Sequence, residues 1–153
     1  MHLREATMKA VERFKPAHDD HLEALAAGIN WKQNVTSAVA KGGCVMIQPF
    51  SREMGCESFP MAIGGNMGDQ CWFVVSEQSK DWPVGTRREF IKLIKSHRDH
   101  LLETYQVLWN YVWVDNKSHY RFLRAIGAVF HEEFTESPIT GERFQLFTIT
   151  KEV

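Results

Sequence analysis

Gly85-Thr86-Arg87-Arg88 stands at the head of the longest helical pattern in the chain. A helix N-terminus offers free N–H groups and a dipole that favours anions. Guanidinium groups match phosphate geometry. These residues therefore suit a phosphate-bearing ligand, although a threonine cap beside two solvated arginines occurs on many helices. Histidines and acids cluster in His18-Asp19-Asp20-His21 and in His97, Asp99 and His100. Both spacings are also those of an exposed helical turn, and no metal is expected. Cys44, Cys56 and Cys71 are odd in number and lack CxxC spacing, so they read as reduced thiols. Cys71, beside Trp72, reads as a small core residue. Gly64-Gly65-Asn66-Met67-Gly68 lacks the helix and the Lys-Ser/Thr of a phosphate loop and reads as a turn.

The elements that position these residues follow from hydrophobic spacing. Thr86 and Glu89 form a capping box, and Phe90, Leu93, Ile94, His97, Leu101, Leu102, Tyr105 and Leu108 recur at helical spacing. The predicted helix spans 86–108. Pro16 opens and Gly28 closes a second helix, and 30–41 suits a short third. Strands are expected over 3–14, 44–48, 60–63, 71–75, 111–114, 128–134 and 143–150, with loops over 49–58 and 76–85. Asp115, Asn116 or Ser118 caps a short helix that Gly127 ends. The step from 71–75 through the long helix to 111–114 implies a right-handed parallel crossover, and the other strands follow through short turns. The expected class is α/β (α+β): a mixed, mostly antiparallel sheet flanked by helices, with one parallel β-α-β step, in a single domain over 1–153.

The 153 residues carry 18 basic and 19 acidic side chains, a net charge of -1. A whole-surface nucleic-acid or membrane binder would show a large basic excess. No run approaches the roughly 18 apolar residues of a membrane helix. The start, Met1-His2-Leu3-Arg4-Glu5, lacks the apolar segment of a signal peptide. No nucleic-acid or membrane partner is expected. Five Trp and ten Phe predict an aromatic core.

The order of elements, with Asn116 to Gly127 following the fifth strand, resembles the GNAT (Gcn-five-related N-acetyltransferase) superfamily. A narrower resemblance lies in Ala62-Ile63-Gly64-Gly65-Asn66, Gly68-Asp69-Gln70-Cys71-Trp72-Phe73-Val74, Leu108-Trp109-Asn110-Tyr111-Val112-Trp113-Val114, Gly127-Ala128-Val129-Phe130-His131-Glu132-Glu133 and Gln145-Leu146-Phe147-Thr148-Ile149-Thr150-Lys151. These strings are similar to the internal virion protein A family of short-tailed phages, against which this chain looks longer between Gly28 and Phe59.

The resemblance implies an acetyl-CoA site. Val74, Val75 and Ser76, at a splayed strand end, would hold the pantetheine amides. Gly85, Thr86, Arg87 and Arg88 would hold the pyrophosphate. Asn116 keeps its family position, as a cofactor contact or a helix cap. Acetyl transfer needs a base for the amine and an acid for the thiolate. His119 or Tyr120, turned inward, and Glu77, through a water, are the candidates. Two features depart from the family. Its tyrosine, seven residues after the asparagine, is here Leu123, and its glycine-rich loop is here Gln78 to Thr86, with bulky Trp82-Pro83. Glycine lets backbone approach a phosphate closely. Two functions are therefore implied. One is an N-acyltransferase moving acetyl from acetyl-CoA to an amine. The other is a GNAT-fold protein without catalysis, acting on phage or host proteins in virion morphogenesis or host takeover. Either would work in the host cytoplasm.

Overall fold

The computed structural model describes residues 1–49 and 59–151. Most of the expected loop over 49–58, with Cys56, lies outside the described residues. Seven strands form one sheet in the order β1-β2-β3-β4-β5-β7-β6. They are β1 (His2–Glu5), β2 (Val45–Gln48), β3 (Ala62–Met67), β4 (Gln70–Val75), β5 (Val107–Trp113), β6 (Val129–Glu136) and β7 (Arg143–Thr150). Five helices accompany them: α1 (Met8–Arg13), α2 (His18–Ala27), α3 (Trp31–Lys41), α4 (Val84–Leu102) and α5 (Lys117–Ala125). Among the described residues only β4 and β5 run parallel. The expected mixed, mostly antiparallel sheet with one parallel step is the observed one.

Several boundaries differ from expectation for local reasons. The first strand stops at Glu5, because the Thr7 side chain accepts the Ala10 N–H at 3.2 Å and starts α1. Asn30 caps α3 in the same way, accepting from the Gln33 N–H at 3.1 Å. The long helix begins at Val84 behind Pro83, so Thr86 lies inside its first turn and is not its cap. It ends at Leu102, and Leu108 belongs to β5, whose pairing with β7 runs from Val107 to Trp113. The segment before α4 is a short 3-10 helix (Glu77–Asp81), not an open loop. β3 continues through Gly64 to Met67, which confines the turn to Gly68 and Asp69.

Alternation along β4 divides the core between the two faces of the sheet. Cys71, Phe73 and Val75 pack on the α4/α5 side with Phe90, Ile94, Leu108, Val112 and Leu123. Trp72 and Val74 pack on the α1/α3 side with Val11, Phe14, Val35 and Ile63. Gly65 makes room for this layer, since a Cβ there would sit 2.9 Å from the Trp72 ring.

Gly28 ends α2 at φ 73°, and the Ile29 N–H returns to the Ala24 carbonyl at 3.0 Å. A Cβ on Gly28 would lie 2.7 Å from Ile139. Gly28→Ala is expected to lose about 2 kcal/mol, from left-handed backbone strain plus this clash. Gly28→Ala with Ile139→Ala should recover part of it in urea titrations; no recovery would show that the clash is relieved by other movements.

Candidate functional site

The parallel strands β4 and β5 touch only at their start, where Gln70 pairs with Trp109. Beyond it they diverge, and side chains fill the wedge between them. Nearest the start, Asn110 Nδ2 donates to the Cys71 carbonyl at 2.6 Å, and Asn110 Oδ1 accepts from the Tyr111 N–H at 2.8 Å. At the open end the wedge is filled from α2. The Val75 N–H donates to Asp20 Oδ2 at 2.9 Å, and the Trp113 N–H donates to Glu23 Oε1 at 2.7 Å. The Val75 carbonyl accepts from the Ala17 N–H at 2.7 Å. Residues two apart on a strand present their backbone to the same side, so between these contacts the Phe73 N–H and carbonyl face the opening.

α5 closes the wedge from the α4/α5 side. His119 Nδ1 meets Glu23 Oε2 at 3.1 Å. Asn116, fully buried, accepts the His119 N–H at 3.1 Å and donates to Asp20 Oδ1 at 3.3 Å. Ser118 donates to Asp19 Oδ2 at 2.6 Å. Ligating atoms of Asp20, Glu23 and His119 lie within 4.8 Å of one another. Each already has a partner, so hydrogen bonds alone account for the group. Burial pushes the Asp20 carboxyl up, and His119 and the Val75 N–H draw it back without cancelling the shift. Burial pulls the His119 value down, but the charge and hydrogen bond of Glu23, with the charge of Asp20, outweigh this and leave it above the ordinary histidine value.

A cavity of about 800 Å³ adjoins this wedge and reaches both faces of the sheet. Asp20, Glu23, Trp72, Phe73, Asn110 and His119 are among its walls. Cys71 also lines it, with a thiol that burial pushes up to about 11.

The structure gathers only part of the residue set expected from sequence. Val74 and His119 line the cavity, and Val75 and Asn116 belong to the hydrogen-bonded wedge. Ser76 is buried, with its N–H on the Met61 carbonyl at 2.9 Å. Tyr120 donates to Gln145 Oε1 at 2.7 Å, and Glu77 lies exposed on the 3-10 helix. Gly85, Thr86, Arg87 and Arg88 are outside the cavity walls. Arg87 turns back onto the preceding segment, donating to the Trp82 carbonyl at 3.2 Å and the Lys80 carbonyl at 3.1 Å. Trp82 packs on Phe90 with ring centroids 4.9 Å apart, and Phe73 stacks on Phe122 at 5.2 Å. Asp20 and Glu23 escaped the sequence reading as site residues. Their i, i+3 spacing, which sets both on one helix face, was the available signal.

Among solved structures, a GNAT-family acetyltransferase from Bacillus anthracis superposes with a TM-score of 0.64 at 12% identity, over 97% of this chain and 93% of its own. A spermidine N-acetyltransferase from Vibrio cholerae gives 0.62 at 9% identity, over 98% and 95%. The NatC complex bound to Gag peptide and CoA gives 0.55 at 6% identity, over 99% and 98%. The splayed parallel pair and the crossover helix thus belong to the GNAT fold. Residues 52–135 match a sequence family described as Bacteriophage T7, probable scaffold protein Gp13. The "probable scaffold protein gp13" of Escherichia phage T7 is 49% identical over 99% of this chain and 98% of its own length. The chain belongs to this phage family. That corrects the narrower resemblance to internal virion protein A. Among the described residues no helix is long and apolar enough to cross a membrane.

Proposed function

We propose that this chain is a GNAT-fold protein that acts by protein contacts in phage morphogenesis, with its own side chains occupying the cleft where the fold would hold acetyl-CoA. One observation carries the reading: apart from the Phe73 N–H and carbonyl, the cleft backbone on both sides of the wedge meets groups of this chain. On β5, the Trp109, Tyr111 and Trp113 N–H groups go to the Asp69 carbonyl, Asn110 and Glu23. On β4, Asp20 takes the Val75 N–H, Ala17 takes its carbonyl, and Asn110 takes the Cys71 carbonyl. Pantetheine amides would have to displace these partners, which offer equal or better hydrogen bonds. Trp82 and Phe90 together fill space beside the α4 N-terminus, and Arg87 is committed to the loop. In this conformation the residues do not fit the cofactor. The name of the phage T7 relative supports a role in particle assembly, with phage or host proteins as partners in the cytoplasm of the infected cell.

The N-acyltransferase reading draws on one feature, the orientation of His119 by Glu23 at the cavity wall. An imidazole so held is the arrangement a general base requires. In that reading Gly85, Thr86 and Arg88 would meet the pyrophosphate, and Asn116 would remain a helix cap. Thermal melting with and without 1 mM acetyl-CoA separates the two. A ligand that binds only the native state raises the melting temperature. A shift below about 1 °C is expected; a rise of several degrees that Arg88→Ala reduces would overturn the protein-contact reading.

A further inference from the structure

α2 differs from the other helices in how it is held. Of its ten residues only Ala24 and Ala26 are buried, and Leu25 is 55% exposed. Its attachments are polar. Asp20 and Glu23 bind the strand ends, and Asp19 binds Ser118. At its far end, Ser137 Oγ donates to the Ala27 carbonyl at 3.1 Å, and Thr140 Oγ1 donates to the Ala26 carbonyl. Asp20, Glu23, Ala24 and Ala27 also form part of the cavity wall. A segment with few buried apolar groups and a polar attachment belongs to the low-stability end of a fold.

We propose that α2 is a lid over the 800 Å³ cavity, latched to the sheet by the Glu23–His119 and Asp20–Asn116 contacts, and that loss of the His119 proton releases it. Opening would free the Val75 and Trp113 N–H groups into the cavity. The Gly28 turn and the Pro16-Ala17 entry, which flank α2, are its hinges. The charged groups facing His119 are Glu23 and Asp20, both from α2. β4 and β5 contribute backbone amides at the latch, and α5 contributes Asn116.

The sign follows from the charges. A histidine whose folded value is raised stabilises the closed state below about pH 6.5, and that stabilisation is lost as pH rises through the folded value. Asp20 acts in the same direction. Its raised value favours the protonated carboxyl, so ionisation between about pH 4 and the folded value weakens the closed state.

Residue-resolved amide hydrogen exchange on the full chain at about pH 5.5 and pH 8.5 tests the lid. Relative to β7, protection of α2, Val75 and Trp113 is expected to fall about tenfold or more at the higher pH. In Glu23→Gln the side-chain oxygen can still accept from Trp113, but the larger of the two charges that hold the histidine proton is gone, so the pH step should fall to the part that Asp20 contributes. His119→Ala should leave α2 weakly protected at both pH values. Should His119→Ala not fold, Glu23→Gln alone decides. The lid is overturned if α2 protection tracks β7 at both pH values, or if the pH step is undiminished in Glu23→Gln. A purely structural helix would show neither the step nor its decrease.

Discussion

Asn116→Ala is expected to destabilise the protein by about 3 kcal/mol. Asn116 is fully buried and its side chain serves three partners at once. Its Oδ1 caps α5 by accepting the His119 N–H at 3.1 Å, and loss of a cap costs about 1 kcal/mol. Its Nδ2 is shared between Asp20 Oδ1 at 3.3 Å and the Asp19 carbonyl at 3.4 Å. Alanine leaves the largely buried Asp20 oxygen without that donor, and an unsatisfied buried group adds about 1–3 kcal/mol. The midpoint of urea denaturation at pH 7 measures the loss. Asn116→Asp separates the two contributions, because it keeps the cap but sets a second carboxyl against Asp20. Its deficit should shrink on acidification. A loss below about 1 kcal/mol for Asn116→Ala would mean that the wedge between β4 and β5 does not depend on this residue.

Phe90→Ala should cost more, about 4 kcal/mol. Phe90 is 3% exposed on α4, with ring centroids 4.9 Å from Trp82, 5.9 Å from Phe73 and 6.1 Å from Phe122. Truncation removes the centre of this cluster and leaves a void that three large rings must collapse to fill. Phe90→Leu, which keeps most of the volume, should lose about 1–2 kcal/mol and serves as the control. Near-equal losses for the two variants would show that ring geometry, rather than volume, sets the cost. The cluster also explains Trp82. Its ring packs directly on Phe90.

Much of the fold was legible along the chain because its signals are local. The apolar β-rich run 71–75, the helical spacing after Phe90 and the turn between 136 and 143 each arise from neighbouring residues, and each corresponds to an observed element. The α1 segment was misread because its six residues carry only two buried positions, too few to show a period. The start of α4 was misread because Thr86 and Glu89 form a good capping pattern two residues inside the helix. There, Pro83 sets the start and Arg87 binds the preceding carbonyls, a contact that the sequence pattern does not reveal.

The wedge could not be read in this way. Asp20 lies 55 residues from Val75 and 96 from Asn116, and Glu23 lies 90 from Trp113. Along the chain the two acids are plausible helix-dipole partners near the front of α2, and nothing nearby contradicts that role. Only the divergence of β4 from β5 creates unpaired backbone N–H groups that a buried carboxylate must meet. The sequence by itself determined the order of elements after the first strand, the aromatic core and a helix cap within 115–118, because spacing and caps are properties of adjacent residues. The tertiary structure alone decided that α2 fills the cleft, that His119 turns toward Glu23 and that Arg87 turns away from the α4 N-terminus. Those outcomes depend on which distant backbone groups remained unsatisfied once the sheet had splayed.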